Sequence, residues 1–168
     1  MPGEKFLKQV TGTLTEVVSV QAGGAGNANK IPALDAAGLL DVTMMPTGIG
    51  ADTSTMIASE ALSAGNLVNV YNNAGVATVR KADATVAGKE ANGFVLSAFL
   101  SAATATVYFE GNNTQMTGLT PGQNFLATTP GGATATAPSA SGNIVQAVGI
   151  AVSATVLNCE FQRQIVLA

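Results

Sequence analysis

Residues 118–132 read Gly-Leu-Thr-Pro-Gly-Gln-Asn-Phe-Leu-Ala-Thr-Thr-Pro-Gly-Gly. Pro121-Gly122 suits the centre of a type II turn, because proline presets φ near −65° and glycine accepts the positive φ that follows. Residues 124–128 combine an aromatic, an aliphatic and a β-branched side chain and predict a short strand. Pro130-Gly131-Gly132 is a second turn, and residues 133–137 alternate small residues with Thr. Residues 138–142, Pro-Ser-Ala-Ser-Gly, break the chain before the apolar run 144–152. The order is turn, strand, turn, strand, turn, strand. Such a meander buries its apolar face only by closing on further strands.

The neighbouring sequence supplies them. Residues 53–59 predict a strand. Residues 67–71 and 76–80 predict a hairpin around a four-residue loop, Asn72-Asn73-Ala74-Gly75. Residues 81–91 hold much of the remaining charge and predict an exposed loop. Residues 94–100 and 104–110 form the next pair, the run 144–161 follows the meander, and Ile165-Val166-Leu167 is a last short strand. About eight or nine short strands at this spacing predict a mainly β fold: a small antiparallel β-barrel or sandwich over residues 53–168.

Residues 1–52 differ and predict an extended N-terminal arm. Residues 6–21 are rich in β-branched side chains and suit one extended strand, and Gly23-Gly24-Ala25-Gly26-Asn27 suits a flexible joint. Pro32, Gly38 and Pro46 rule out a long helix beyond it. Yet Ile31, Leu34, Leu39, Leu40, Met44, Met45 and Ile49 are too apolar for a free tail. Two placements account for both facts: an arm lying in a partner's groove, or an arm folded back on its own domain.

Charge narrows the function. Only 10% of the 168 residues are charged, against about 25% in ordinary soluble domains. Residues 111–159 carry no charge at all. A freely diffusing monomer relies on surface charge to stay unassociated, so this pattern favours a protein held in an assembly over a monomer solvated by Thr, Ser and Asn. The net charge of −3 and the absence of a basic patch argue against nucleic acid. No apolar run is long enough for a membrane span, and the N-terminus has no pattern of a signal peptide.

Catalytic constellations are missing. The chain has no His, no Gly-x-Ser-x-Gly elbow, and a single Cys159 that reads as a packed side chain. Gly24-Ala25-Gly26 begins like a dinucleotide loop, but Asn29 replaces the third glycine and Pro32 interrupts the helix that should follow. Asp35 and Asp41 flank Gly38 as in a calcium loop, without the intervening oxygen ligands, so a simple turn is the better reading. Neither catalysis, a cofactor nor a metal is expected.

The arm segment Asn29-Lys30-Ile31-Pro32-Ala33-Leu34-Asp35-Ala36-Ala37-Gly38-Leu39-Leu40-Asp41, with Met45-Pro46, resembles a module of tailed-bacteriophage virion proteins. Residues 61–65, 87–95, 118–126, 130–132 and 138–152 resemble phage capsid cement, or head decoration, proteins. The Gly-Leu-Thr-Pro-Gly meander also resembles parts of tail-fibre proteins. The resemblance implies a structural protein on the outer surface of a virion capsid, commonly a homotrimer, bridging neighbouring major capsid protein subunits. The arm residues Ile31, Leu34, Leu39, Leu40, Met44 and Met45 are then the expected partner contacts. A tail-fibre or baseplate component, or a carbohydrate-binding module on a fibre, remain alternatives at this point.

Overall fold

The glycines of the meander all have positive φ, Gly131 and Gly142 in turns, Gly118 at a bend and Gly122 at the start of a strand. The computed structural model describes residues 5–28, 30–45 and 50–168, apart from the side chains of Val10, Gly24, Ala25 and Val42. Within these residues the protein is almost entirely β. Contacts divide the chain into two units, Met1–Gly50 and Ala51–Ala168.

In the first unit, β1 (Lys5–Val10) and β2 (Thr13–Val18) form an antiparallel hairpin. The sequence suggested one strand here. The difference lies in Thr11-Gly12, both at positive φ (51° and 86°), which reverse the chain in two residues. The glycine joint is a short three-ten turn, Gly24–Asn27, closed by Gly26 N–H on the Gly23 carbonyl and by Asn27 Nδ2 on the Ala22 carbonyl (2.7 Å). Pro46 and Ile49 lie outside the described residues.

The second unit begins with a closed five-stranded barrel. Its strands are β3 (Thr53–Ala58), β4 (Leu67–Asn73), β5 (Val76–Lys81), β6 (Gly93–Phe94) and β7 (Thr104–Tyr108), in the order β3-β5-β4-β6-β7. β3 closes it by pairing antiparallel with β7 and, through Ile57 and Ala58, parallel with β5. The barrel is therefore antiparallel except at that one seam. Between β3 and β4 the chain crosses the barrel end, where buried Leu62 exchanges both main-chain hydrogen bonds with Phe99 (2.9 Å each). Residues 94–100 thus contribute a two-residue strand and a bridge, where one longer strand was expected. The β4–β5 loop is two residues, Ala74-Gly75, with φ of 51° and 90°. The four-residue loop expected from the sequence is shorter because Asn72 and Asn73 continue the ladder, and Asn72 Oδ1 accepts the Gly75 N–H (2.7 Å).

A five-stranded antiparallel sheet follows, ordered β10-β9-β12-β13-β8. Its strands are β8 (Gly111–Asn113), β9 (Gly122–Leu126), β10 (Ala133–Thr134), β12 (Ala147–Ala151) and β13 (Leu157–Cys159), while β11 (Ile144–Val145) pairs with β14 (Ile165–Val166). The register of β12 on β9 shifts between Ala147 and Gly149. A Cβ at Gly149 would overlap the Asn158 carbonyl, so the bulge requires glycine there.

Two cores share one wall. Val68, Val79, Val95, Ala105 and Val107 fill the barrel with Ala58 and Leu62. Their chain neighbours Leu67 and Phe94 face the other way, into a core with Leu126, Ile144, Val148 and Leu157. Phe94 stacks on Tyr108 at 5.4 Å between ring centroids. The side chains of a strand alternate between faces, so each strand of this wall serves both cores.

Residues 81–91, expected to be an exposed loop, are exposed only at 85–88, and the ends of the segment are packed in. Ala82, Asp83, Ala84 and Ala91 are buried. Ala84 N–H donates to the Ala127 carbonyl, the Ala84 carbonyl accepts from Ile144, and the Ala82 carbonyl accepts from Gly131. The cause is side-chain size: alanines let the backbone approach closely enough for these bonds. Gln146 fixes the far end. Its Oε1 accepts the Ala91 N–H (2.8 Å), and its Nε2 donates to the carbonyls of Ala91 (2.9 Å) and Gln162 (3.0 Å).

Replacing Gln146 with Leu leaves buried main-chain groups unsatisfied. The expected cost is roughly 3 kcal/mol, read as a lower midpoint in urea denaturation with an unchanged slope.

Candidate interaction surfaces

The arm residues singled out in the sequence lie on a segment held in a defined shape. Val20 N–H donates to the Ile31 carbonyl (3.1 Å), Ala33 N–H donates to the Val20 carbonyl (2.8 Å), and Gln21 Nε2 donates to the Leu34 carbonyl (2.9 Å). Gly23 N–H donates to Thr43 Oγ1 (3.0 Å). Residues 20–23 therefore pin residues 31–43 at several points.

The two aspartates shape the turns between. Asp35 Oδ1 accepts the N–H groups of Ala37 (2.8 Å) and Leu39 (2.9 Å), and Gly38 takes a φ of 77°. Asp41 Oδ1 accepts the hydroxyl (2.5 Å) and N–H (2.9 Å) of Thr43, and these bonds hold its carboxyl below the usual carboxylate range. Both carboxylates are thus engaged in local turns.

Pinned in this way, the apolar side chains project outward. Leu39 is 63% exposed, Leu34 57% and Ile31 50%, and Leu40 and Met45 are exposed as well. Met44 is half-buried in the short three-ten turn Val42–Met44. The sequence identified these residues by their apolarity. It gave no sign of the pinning, which runs through a main-chain bridge and a glutamine amide.

Two of the concavities in the second unit bear on this. The first, about 550 Å³, lies between the Ala64–Asn66 turn and the edge strand β10; Asn66, Gln115, Thr128, Thr134 and Pro138 line it, and no charged residue does. Glycine lets its walls meet, since a Cβ at Gly65 would overlap the Gln115 carbonyl and one at Gly131 would lie 2.6 Å from Asn66 Nδ2. The second, about 480 Å³, brings Glu90, Glu110, Glu160 and Arg163 together with Phe109 and Phe161. Among the described residues, no three His, Cys, Asp or Glu side chains are grouped to hold a metal ion.

Cys159 is buried beside this second concavity, with its thiol on the Leu157 carbonyl (3.7 Å). Burial pushes its pKa up to about 12, an effect only partly offset by the Asn113 backbone. At neutral pH it is a neutral thiol, the opposite of an activated nucleophile.

No protein-family model matches the chain, and no curated protein or solved structure matches it either.

The Cys159 environment sets a pH dependence. Its folded pKa of about 12 exceeds the ordinary 9.0. Between these values the unfolded chain binds fewer protons than the folded one. The stability contributed by the neutral thiol is therefore complete below pH 9 and is lost as pH rises toward 12. Cys159→Ala should show a shallower fall in melting temperature over this window, and native Cys159 should react with thiol reagents only on unfolding.

Proposed function

We propose that this protein is a structural virion component, a capsid cement protein that docks on the outside of an assembled tailed-phage shell and bridges neighbouring major capsid protein subunits. The observation that carries the proposal is the pinned arm, with Ile31, Leu34, Leu39, Leu40 and Met45 exposed along one short segment. The resemblance of the arm and meander to phage virion proteins gives that surface its partner. The charge-free stretch 111–159 supports a place inside an assembly. In this role the chain acts by binding, without catalysis, cofactor or nucleic acid.

The mechanism is one of linkage. A ligand that binds the expanded shell and not its precursor stabilises the expanded state by mass action. A homotrimer engaging several subunits gains further from effective concentration, so modest contacts give durable attachment. Pinning reduces the ordering cost of each arm, because its turns are formed before binding. An apolar side chain gains roughly 1.5–3 kcal/mol when it leaves water completely.

Changing Leu39 and Leu40 to Asp together should remove about 3 kcal/mol of binding, a loss of about a hundredfold. Co-sedimentation with expanded shells lacking the protein measures it, with the melting of the β-domain as a control. Undiminished binding by the double variant would refute the role given to the arm.

A further inference from the structure

The concavity beside β10 has walls that are fixed by main-chain bonds. On one side, Asn66 N–H donates to the Ser63 carbonyl (3.1 Å) and Asn66 Oδ1 accepts the Ser63 N–H (2.9 Å). On the other, Gly132 N–H donates to the Thr129 carbonyl (3.0 Å) and Ala127 N–H to the Gly132 carbonyl (3.1 Å). Leu67 N–H on the Gly131 carbonyl (2.9 Å) ties the two sides together. A ligand therefore meets a site already in shape and adds little ordering cost.

The lining is polar, neutral and unused. With its Oδ1 taken by Ser63, Asn66 has Nδ2 left as a donor. Gln115 Nε2 reaches Thr114 Oγ1 (3.4 Å), which leaves Gln115 Oε1 as an acceptor. The hydroxyls of Thr117, Thr128, Thr129 and Thr136 have no protein partner among the described residues.

This lining excludes most classes of ligand. No charged residue lines the space, so nothing there offsets the desolvation of a phosphate, carboxylate or ammonium group. Its apolar part is Met116, Pro138 and three alanines, with no aromatic, Val, Leu or Ile side chain, which suits neither a lipid nor a planar ring. Strand addition has only the two residues of β10 to pair with, and Pro138 beyond them has no N–H to give. What remains is a ligand that makes many neutral hydrogen bonds. A sugar hydroxyl both donates and accepts, so it matches threonine hydroxyls, an amide donor and an amide acceptor together.

We propose that this concavity binds a short, uncharged oligosaccharide. Asn66 Nδ2 donates to one sugar hydroxyl, Gln115 Oε1 accepts from another, and the threonines bind the rest. The volume of about 550 Å³ lies within the span of small-molecule sites, roughly 300–1,000 Å³. With no ring to stack on, a single site holds its sugar weakly, in the millimolar range. The site belongs wholly to the second unit and does not rest on shell binding: a chain that binds the sugar and no shell would sink the cement reading alone.

Titration of the isotope-labelled full-length chain, followed by its amide shifts, is the test. The probes are neutral trisaccharides of glucose, galactose, mannose and N-acetylglucosamine. A trisaccharide ending in sialic acid is the charged control, and an uncharged Ala-Thr pentapeptide is the strand control. At least one neutral sugar should give saturable shifts confined to residues 64–66, 115–117 and 127–138, and neither control should. Asn66→Asp keeps the oxygen that accepts the Ser63 N–H and loses the donor, so it should weaken binding about tenfold with the rest of the spectrum unchanged. Thr128→Val removes a hydroxyl at nearly constant shape and should also weaken it. No shifts with any neutral sugar, saturable shifts at these residues from either control, or wild-type affinity in both variants would each overturn the proposal.

Discussion

The barrel wall formed by β4, β6 and β7 is the constraint on which the second unit depends. Leu67 and Val68, Phe94 and Val95, and Val107 and Tyr108 are adjacent pairs whose members point to opposite sides. One member of each pair fills or borders the barrel core, and the other belongs to the core beneath the second sheet. Neither core can be repacked without moving backbone that the other uses. Gly93 shows how tight the wall is, because a Cβ there would come within 2.7 Å of the Tyr108 carbonyl oxygen and of Val107 Cγ1. The segment 82–91 and the Gln146 amide extend the same coupling, tying barrel loop, sheet and residue 162 together through main-chain groups. Barrel and sheet should therefore lose structure together.

A protein with so little charge must solve its polar bookkeeping internally. Asn113 is fully buried and bonds Gly65 and Gln115, and Asn69 is clamped by Glu90, Asn92 and Arg80. Arg80 in turn covers the Tyr71 ring at 4.2 Å. Amides and hydroxyls thus fix the fold where ion pairs do so in other proteins. This leaves large uncharged surfaces, which suit contact with another protein because little charge has to be desolvated. The arm follows the same logic: Asp35 and Asp41 are used to shape turns, and the exposed positions are left to Leu and Ile.

Much of the β character was legible in residues 118–132, where Pro130-Gly131 marked the turn closed by Gly132 N–H on the Thr129 carbonyl, while Gly122, read as part of a turn, opens strand β9 at positive φ. Less legible were features that rest on distant contacts. Residues 81–91 read as an exposed loop because Lys81, Asp83, Lys89 and Glu90 are charged. The tip at 85–88 is exposed as read, but residues 82–84 are buried, because Ala84 meets Ala127 and Ile144 far along the chain. Thr11 and Ala74 adopt left-handed conformations that their side chains disfavour, so the two tight hairpins carried only half of the usual turn signal. Gln146 looked like one polar residue in an apolar run, and only the folded arrangement shows its three bonds. In the arm, apolarity identified Ile31, Leu34, Leu39, Leu40, Met44 and Met45 as contact candidates. All but the half-buried Met44 are exposed, on a segment held by bonds from residues 20–23 that no local pattern announces.

The central claim is the location and contact of this protein on a capsid. Cryo-electron microscopy of purified virions carrying it tests that claim most directly. The account predicts density fitting the five-stranded barrel and its sheet on the outer face of the head, with residues 31–45 against the major capsid protein at subunit junctions. Density for this fold only in the tail, or on the head with residues 31–45 turned away from the shell, would contradict it.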